Sequence, residues 1–165
     1  MDLSPRSPIV QLAIQLGEAL NRRGWSVAAA ESCTGGGVGF AITSVPGSSK
    51  WFECAFITYS NRAKAAKLGV NATTLDREGA VSEAVVREMV AGALRESGAD
   101  LAVAISGIAG PDGGSASKPV GTVWFAWGKA GEEPVTAHHV YKGNREAVRE
   151  QAVVTALQGL LAVAG

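Results

Sequence analysis

The chain is poor in the residues that build metal sites and covalent cross-links. It has two cysteines, Cys33 and Cys54, in 165 residues. So placed, they form no disulfide framework, no CxxC pair and no Cys/His cluster. The only histidines are the adjacent pair His138 and His139. A His-rich metal site is excluded, and no motif calls for a cofactor. Net charge is missing too: 15 Lys and Arg balance 15 Asp and Glu. A general binder of nucleic acid or anionic membrane carries a basic excess, so neither partner is expected. No apolar run approaches the ~18 residues of a membrane span. The opening stretch MDLSPRSP lacks the basic start and apolar run of a signal peptide, and a reducing cytoplasm is the expected compartment.

Glycine is what the chain has in excess. It supplies 21 of 165 residues, nearly twice the usual share of about 7%. Such a chain brings backbone close to something or makes many tight turns. Hydrophobic residues make up 47%, which excludes general disorder and supports one domain, residues 1–165, around a substantial core.

Capping residues and glycines mark the elements. Ser7 before Pro8 reads as an N-cap and first helical position. Val10, Ile14, Leu16 and Leu20 give that helix an apolar stripe, and Gly24 ends it. Residues 25–30 read as a short buried strand, and glycines 35, 36, 37 and 39 then open a helix. Residues 54–58 read as a second strand, and Asn61 to Leu68 as a short helix between Ser60 and Gly69. Ser82 caps a helix with Val85, Val86, Met89, Val90, Ala93 and Leu94 on one side, closed by Gly98. Residues 101–106 are continuously apolar, as in a strand buried on both faces. Residues 122–127 and 135–141 read as strands joined by a hairpin-like link, and Asn144 caps a last helix through Leu161. The order αβαβααβββα predicts a layered α/β domain whose sheet is parallel at first and antiparallel near the end.

Several segments that follow strands hold chemistry-bearing residues. Glu31-Ser32-Cys33-Thr34-Gly35-Gly36-Gly37 lies where a strand hands over to a helix. Ligands collect at the carboxyl ends of strands in open α/β sheets. Glycines there let N–H groups approach an anion or a developing oxyanion, and they equally permit tight helix–strand packing. Ser32 and Cys33 are adjacent nucleophile candidates; neither a GxSxG elbow nor a P-loop is present. Tyr59, Ser60 and Lys64 enter the next helix. A lysine early in a helix has a lowered pKa and, once neutral, can take a proton from a serine; the alternative is a solvated surface lysine. Ser106 and Gly107 open a polar glycine loop reaching Pro119, a substrate loop or a surface crossover. Arg145 and Arg149 start the last helix, either as phosphate ligands or as its ordinary charged face. The histidine pair reads as a partly exposed strand pair, and Trp124, Phe125 and Trp127 as core and sheet surface.

Read together, AESCTGG at 30–36, GSSKWFECAFITYSNRAK at 47–64, GAVSE at 79–83 and the run from Ser106 to Ala126 resemble the CinA C-terminal domain family. Stand-alone members of that family include nicotinamide-nucleotide amidohydrolases. The resemblance implies a three-layer α/β sandwich with a mixed, largely parallel sheet. It implies hydrolysis of the carboxamide of nicotinamide mononucleotide (NMN) to nicotinate mononucleotide and ammonia, in pyridine nucleotide recycling. It assigns Ser32 as nucleophile, Lys64 as base and Tyr59 as helper, with no metal and no cofactor. Thr34, Gly35, Gly36, Ser106, Gly107 and Arg145 are then the expected substrate contacts. The other readings are a nucleotide-binding module without turnover and an accessory partner of competence or DNA-repair proteins. Whether the chain forms a homo-oligomer is left open.

Overall fold

A computed structural model of the chain describes residues 1–165. The elements are α1 (Pro8–Arg23), β1 (Val27–Glu31), α2 (Gly37–Thr43), β2 (Phe52–Ile57), α3 (Asn61–Leu68), α4 (Ala72–Glu78), α5 (Glu83–Ser97), β3 (Leu101–Gly107), β4 (Thr122–Lys129), β5 (Val135–Val140) and α6 (Arg145–Ala164). The expected caps are made. Ser7, Ser60, Ser82 and Asn144 each accept an N–H of the first helical turn, and Gly24, Gly69 and Gly98 close their helices in the left-handed conformation. The first strand starts at Val27 rather than at Trp25, because the Trp25 N–H still bonds Leu20 of α1. The second starts at Phe52, earlier than the sequence suggests. Helix α4 is the element that the sequence did not announce. It buries only Leu75, so it has no stripe to read, and Thr73 and Thr74 are weak helix formers.

The sheet runs β2-β1-β3-β4-β5. Strand β1 pairs parallel with β2 and β3, while β4 pairs antiparallel with β3 and β5, so the sheet is mixed as expected. Helices cover both faces, giving the three layers. Side-chain alternation along the strands sorts residues between the layers by size. Val27, Leu101, Val103, Ile105, Phe125 and Trp127 face α1, α2 and α6. On the other face Ala28, Ala30, Ala102, Ala104 and Ala126 let α5 lie close, with Val85, Val86, Met89 and Val90 filling the gap. The edge strand β5 exposes both His138 and His139; His138 stacks on Trp124 with centroids 4.4 Å apart.

Helix α3 is held against α5 by a close approach at Gly92. A methyl group there would overlap the Leu68 carbonyl oxygen and lie 2.8 Å from its carbon. Backbone cannot step aside as a side chain can. We therefore expect Gly92→Ala to lose about 1–3 kcal/mol or more through overpacking, outweighing the ~1 kcal/mol helix-propensity gain of alanine. A lowered melting temperature for Gly92→Ala checks this; an unchanged one refutes the close approach.

Candidate active site

Register places the reactive residues. Glu31 stands opposite Ile57 on one side and Ile105 on the other, so the C-terminal ends of β1, β2 and β3 are level. The chain leaves β1 and β2 there through Ser32 and Thr58, and β3 runs two residues further, through Ser106 and Gly107, at the same edge of the sheet. Strand β5 ends at the same edge, because β4 reverses the chain once and β5 reverses it again. Helix α6 therefore begins there, which brings in Arg145 and Arg149.

Lys64 lies one turn into α3 and is only 1% exposed. Its Nζ donates to the Thr58 carbonyl at 2.7 Å, to Ser32 Oγ at 2.9 Å and to the Tyr59 carbonyl at 3.2 Å. No ion pair of the chain includes it. Burial disfavours the ammonium form and pulls its pKa down to about 8. The bonding pattern has a chemical consequence. An ammonium has a hydrogen for each of the three acceptors. A neutral amine has two hydrogens and a lone pair. The two carbonyls can only accept, so the lone pair falls to the serine hydroxyl, the one partner that can donate.

Ser32 is buried, and its N–H bonds the Ile105 carbonyl at 3.1 Å, which ties the loop after β1 to β3. Cys33 beside it is buried too, and that burial pushes its thiol up to about 11. At neutral pH it is a thiol, not a thiolate, although it borders the same cleft as Ser32. The glycines after it are used for their backbone: Gly35 has φ +58° and Gly36 has φ +99°, left-handed values that favour glycine.

The start of α2 is not an open anion site. Glu31 Oε1 accepts from Thr34 Oγ1 at 2.7 Å and from the Val38 N–H at 2.9 Å, and Oε2 accepts from the Gly39 N–H at 3.0 Å. The Gly35 N–H is turned back onto the Ser32 carbonyl, and the Gly37 N–H onto Thr34. Among the loop N–H groups, those of Cys33, Thr34 and Gly36 bond no protein acceptor.

Ser32, Lys64, Tyr59, Ser106, Gly107 and Arg145 share a cleft of about 170 Å³. A larger cavity of about 730 Å³ adjoins it through Ala109 and Arg145, and is lined by Thr34, Asn144 and Arg149 as well. Tyr59 meets Lys64 through its carbonyl; its ring is exposed and its hydroxyl accepts from Arg145 at 3.2 Å. Arg145 also donates to the Gly110 carbonyl at 2.8 Å, and Arg149 to the Cys33 carbonyl at 3.0 Å. Gly35 and Gly36 line neither cavity. Glu31 has only a weak signal in the sequence, an acidic residue ending an alanine strand. Ala80 and Val81, which line the smaller cleft from the turn before α5, have none. No group of three or more His, Cys, Asp or Glu side chains is placed to hold a metal ion.

The contrast between the cysteines is testable. Burial raises both thiols, but Cys54 lies only half-buried on the edge strand β2, whereas Cys33 is enclosed. In native protein near pH 8, a thiol reagent such as DTNB should react promptly with Cys54 alone. The second thiol should appear only on unfolding. Prompt reaction of both would contradict the enclosed state of Cys33.

The model of the CinA C-terminal domain matches residues 9–164. The nicotinamide-nucleotide amidohydrolase PncC of Escherichia coli K12 is 57% identical over 154 residues, covering 93% of each chain. A CinA-like protein of Akkermansia muciniphila is 54% identical over 134 residues, which are 81% of this chain and 32% of that longer one. The crystal structure of competence/damage inducible protein CihA from Agrobacterium tumefaciens superposes with a TM-score of 0.96 at 41% identity, covering all of both chains. Matched over nearly its whole length by the family model, the chain belongs to the CinA C-terminal domain family.

Proposed function

We propose that the chain is a nicotinamide-nucleotide amidohydrolase, converting NMN to nicotinate mononucleotide and ammonia as a single domain of residues 1–165. Its relatives support the substrate. The observation that carries the chemistry is the enclosed lysine whose only proton-donating partner is Ser32. A module that only binds nucleotides has no use for a lysine stripped of water and of counter-charge. Neither a metal nor a cofactor enters the scheme.

In this reading neutral Lys64 takes the Ser32 proton as Oγ attacks the carboxamide carbon. The tetrahedral oxyanion lies against the unclaimed N–H groups of Cys33 and Thr34, each such donor contributing roughly 2.7–4 kcal/mol in a well-studied case. The C–N bond breaks, and Lys64 returns the proton so that the nitrogen leaves as ammonia. Water then attacks the nicotinoyl ester on Ser32, with Lys64 again as base, and releases the acid. Tyr59 helps through the carbonyl that holds Lys64.

The cavities divide the substrate. The cleft of about 170 Å³ is below the usual ligand range of about 300–1,000 Å³ and suits the pyridine carboxamide, beside Ser106 and Gly107. Ribose and phosphate extend into the larger cavity past Arg145. With the α2 N-terminus claimed by Glu31, the phosphate belongs at the start of α6, where helix N–H groups and Arg145 favour an anion. Gly35 and Gly36 then act by shaping the loop rather than by holding phosphate. Such a reaction serves pyridine nucleotide recycling in the cytoplasm.

Ammonia release from NMN, with nicotinamide and its riboside as comparisons, tests the reading. Ser32→Ala should abolish release while Cys33→Ala keeps most of it; the reverse would move the nucleophile. A base must be unprotonated, and at pH 7 only about a tenth of a group with pKa near 8 is neutral. The rate should therefore climb with pH up to about 8 and level off above it. Arginine cannot deprotonate, so Lys64→Arg should be nearly inactive, and near-normal turnover in that variant would make residue 64 a fixed charge.

The phosphate assignment has its own check. Arg145→Ala should raise KM for NMN by about tenfold or more, with kcat much less affected, as expected for a lost charge-assisted contact of ~1.5–3 kcal/mol. An unchanged KM would return Arg145 to the ordinary charged face of α6.

A further inference from the structure

We infer that the buried Glu31 carboxylate is a positioning residue: it clamps the loop between β1 and α2 so that the Ser32 hydroxyl stands against Lys64. The inference rests on the nucleophile and base roles proposed above. Glu31 is fully enclosed and is the only acidic residue buried in the chain. It has no cationic partner. An unpaired carboxylate taken out of water is costly unless its oxygens are satisfied, and three hydrogen bonds satisfy it here.

Ordinary capping does not account for this arrangement. A helix is usually capped by the side chain of its own N-cap residue. At α2 that position is Gly36, which offers no side chain. The cap comes instead from Glu31, seven and eight residues before Val38 and Gly39. Reaching back over that distance closes a ring of chain, and Ser32 is inside the ring. The bonds are charge-assisted and lie at the positive end of a helix, so the ring is stiff.

The same residue is tied to the lysine. The Glu31 carbonyl accepts the Thr58 N–H at 2.9 Å, and the Thr58 carbonyl accepts Lys64 Nζ at 2.7 Å. The side chain of Glu31 fixes the nucleophile loop, and its backbone fixes the carbonyl that orients the base. The clamp also uses up the Thr34 hydroxyl and the N–H groups of Val38 and Gly39, and leaves the N–H groups of Cys33, Thr34 and Gly36 unclaimed. Gly39 lets α2 lie close to β2: a Cβ there would press on the Ala55 side chain at 3.3 Å, with Glu31 Oε2 in ordinary contact at 3.6 Å.

Glu31→Gln tests the clamp, because it keeps the shape, removes the charge and turns one acceptor into a donor facing N–H groups. At a temperature where circular dichroism shows the fold intact, kcat for NMN should fall about 10- to 100-fold while KM moves less than about threefold, as for a misplaced reacting group. The rate of Ser32 modification by a fluorophosphonate, followed by intact mass, should fall in parallel. That second measurement needs no turnover of NMN. A wild-type chain that is labelled but releases no ammonia would therefore overturn the proposed reaction and leave this test standing. A Glu31→Gln chain that melts earlier but keeps wild-type kcat and labelling rate would make Glu31 a structural residue only and overturn the inference. Should that variant not fold, Thr34→Val removes one bond of the clamp and keeps the backbone. It should lower kcat about threefold or more, for loss of one bond of ~1 kcal/mol, and an unchanged kcat would be equally fatal.

Discussion

Everything at this sheet edge depends on keeping one lysine out of water. A solvated lysine holds its proton at neutral pH and cannot act as a base. Enclosing Lys64 weakens that preference, but an enclosed ammonium also needs acceptors. Two carbonyls and a hydroxyl meet the need without supplying a negative charge, which would have raised the pKa again. Enclosure is in turn a matter of packing. Helix α3 is short and buries little beyond Lys64 and Leu68, so it is α5 that holds it in place.

The sheet does the gathering. Parallel strands with level ends bring three separate loops to one edge, and the antiparallel pair β4 and β5 returns the chain to that edge in time for α6. The alanine face of β1 and β3 has a part in this. It lets α5 sit close to the sheet, and α5 carries the α3 contact. A bulkier face would push α5 outward and α3 with it.

Two helix N-termini meet near the cleft, and their different treatment divides the work. At α2 the Val38 and Gly39 N–H groups are taken within the fold by the Glu31 carboxylate. At α6 the first turn carries Arg145 and borders a cavity of about 730 Å³. On the proposed phosphate assignment, the first end is structural and the second meets the ligand. A chain with no net charge can hold an anionic substrate this way, by local arrangement rather than by a long-range field.

The sequence by itself determined the elements with strong local signals. Caps at Ser7, Ser60, Ser82 and Asn144, and closing glycines at 24, 69 and 98, are one-residue statements of backbone chemistry. The alternation of helices with apolar runs fixes an α/β sandwich. Helix α4 escaped because it packs by one residue and so prints no periodicity. The resemblance to a family named Ser32 and Lys64, but spacing alone could not distinguish Lys64 from a solvated lysine. Burial is a property of what packs around a side chain, and for Lys64 that is chain from β1, β2 and the turn before α5. Glu31 went unnoticed for the same reason. Its partners are backbone N–H groups, which every sequence contains, and only the turn of the chain through Gly35 and Gly36 aims them at its carboxylate. The tertiary structure also distinguishes the two helix ends, by filling that of α2 with Glu31 and setting that of α6 beside a cavity. Residue types declare which chemistry is possible, but distance and dielectric decide which is realised, and both arise only when separate segments meet.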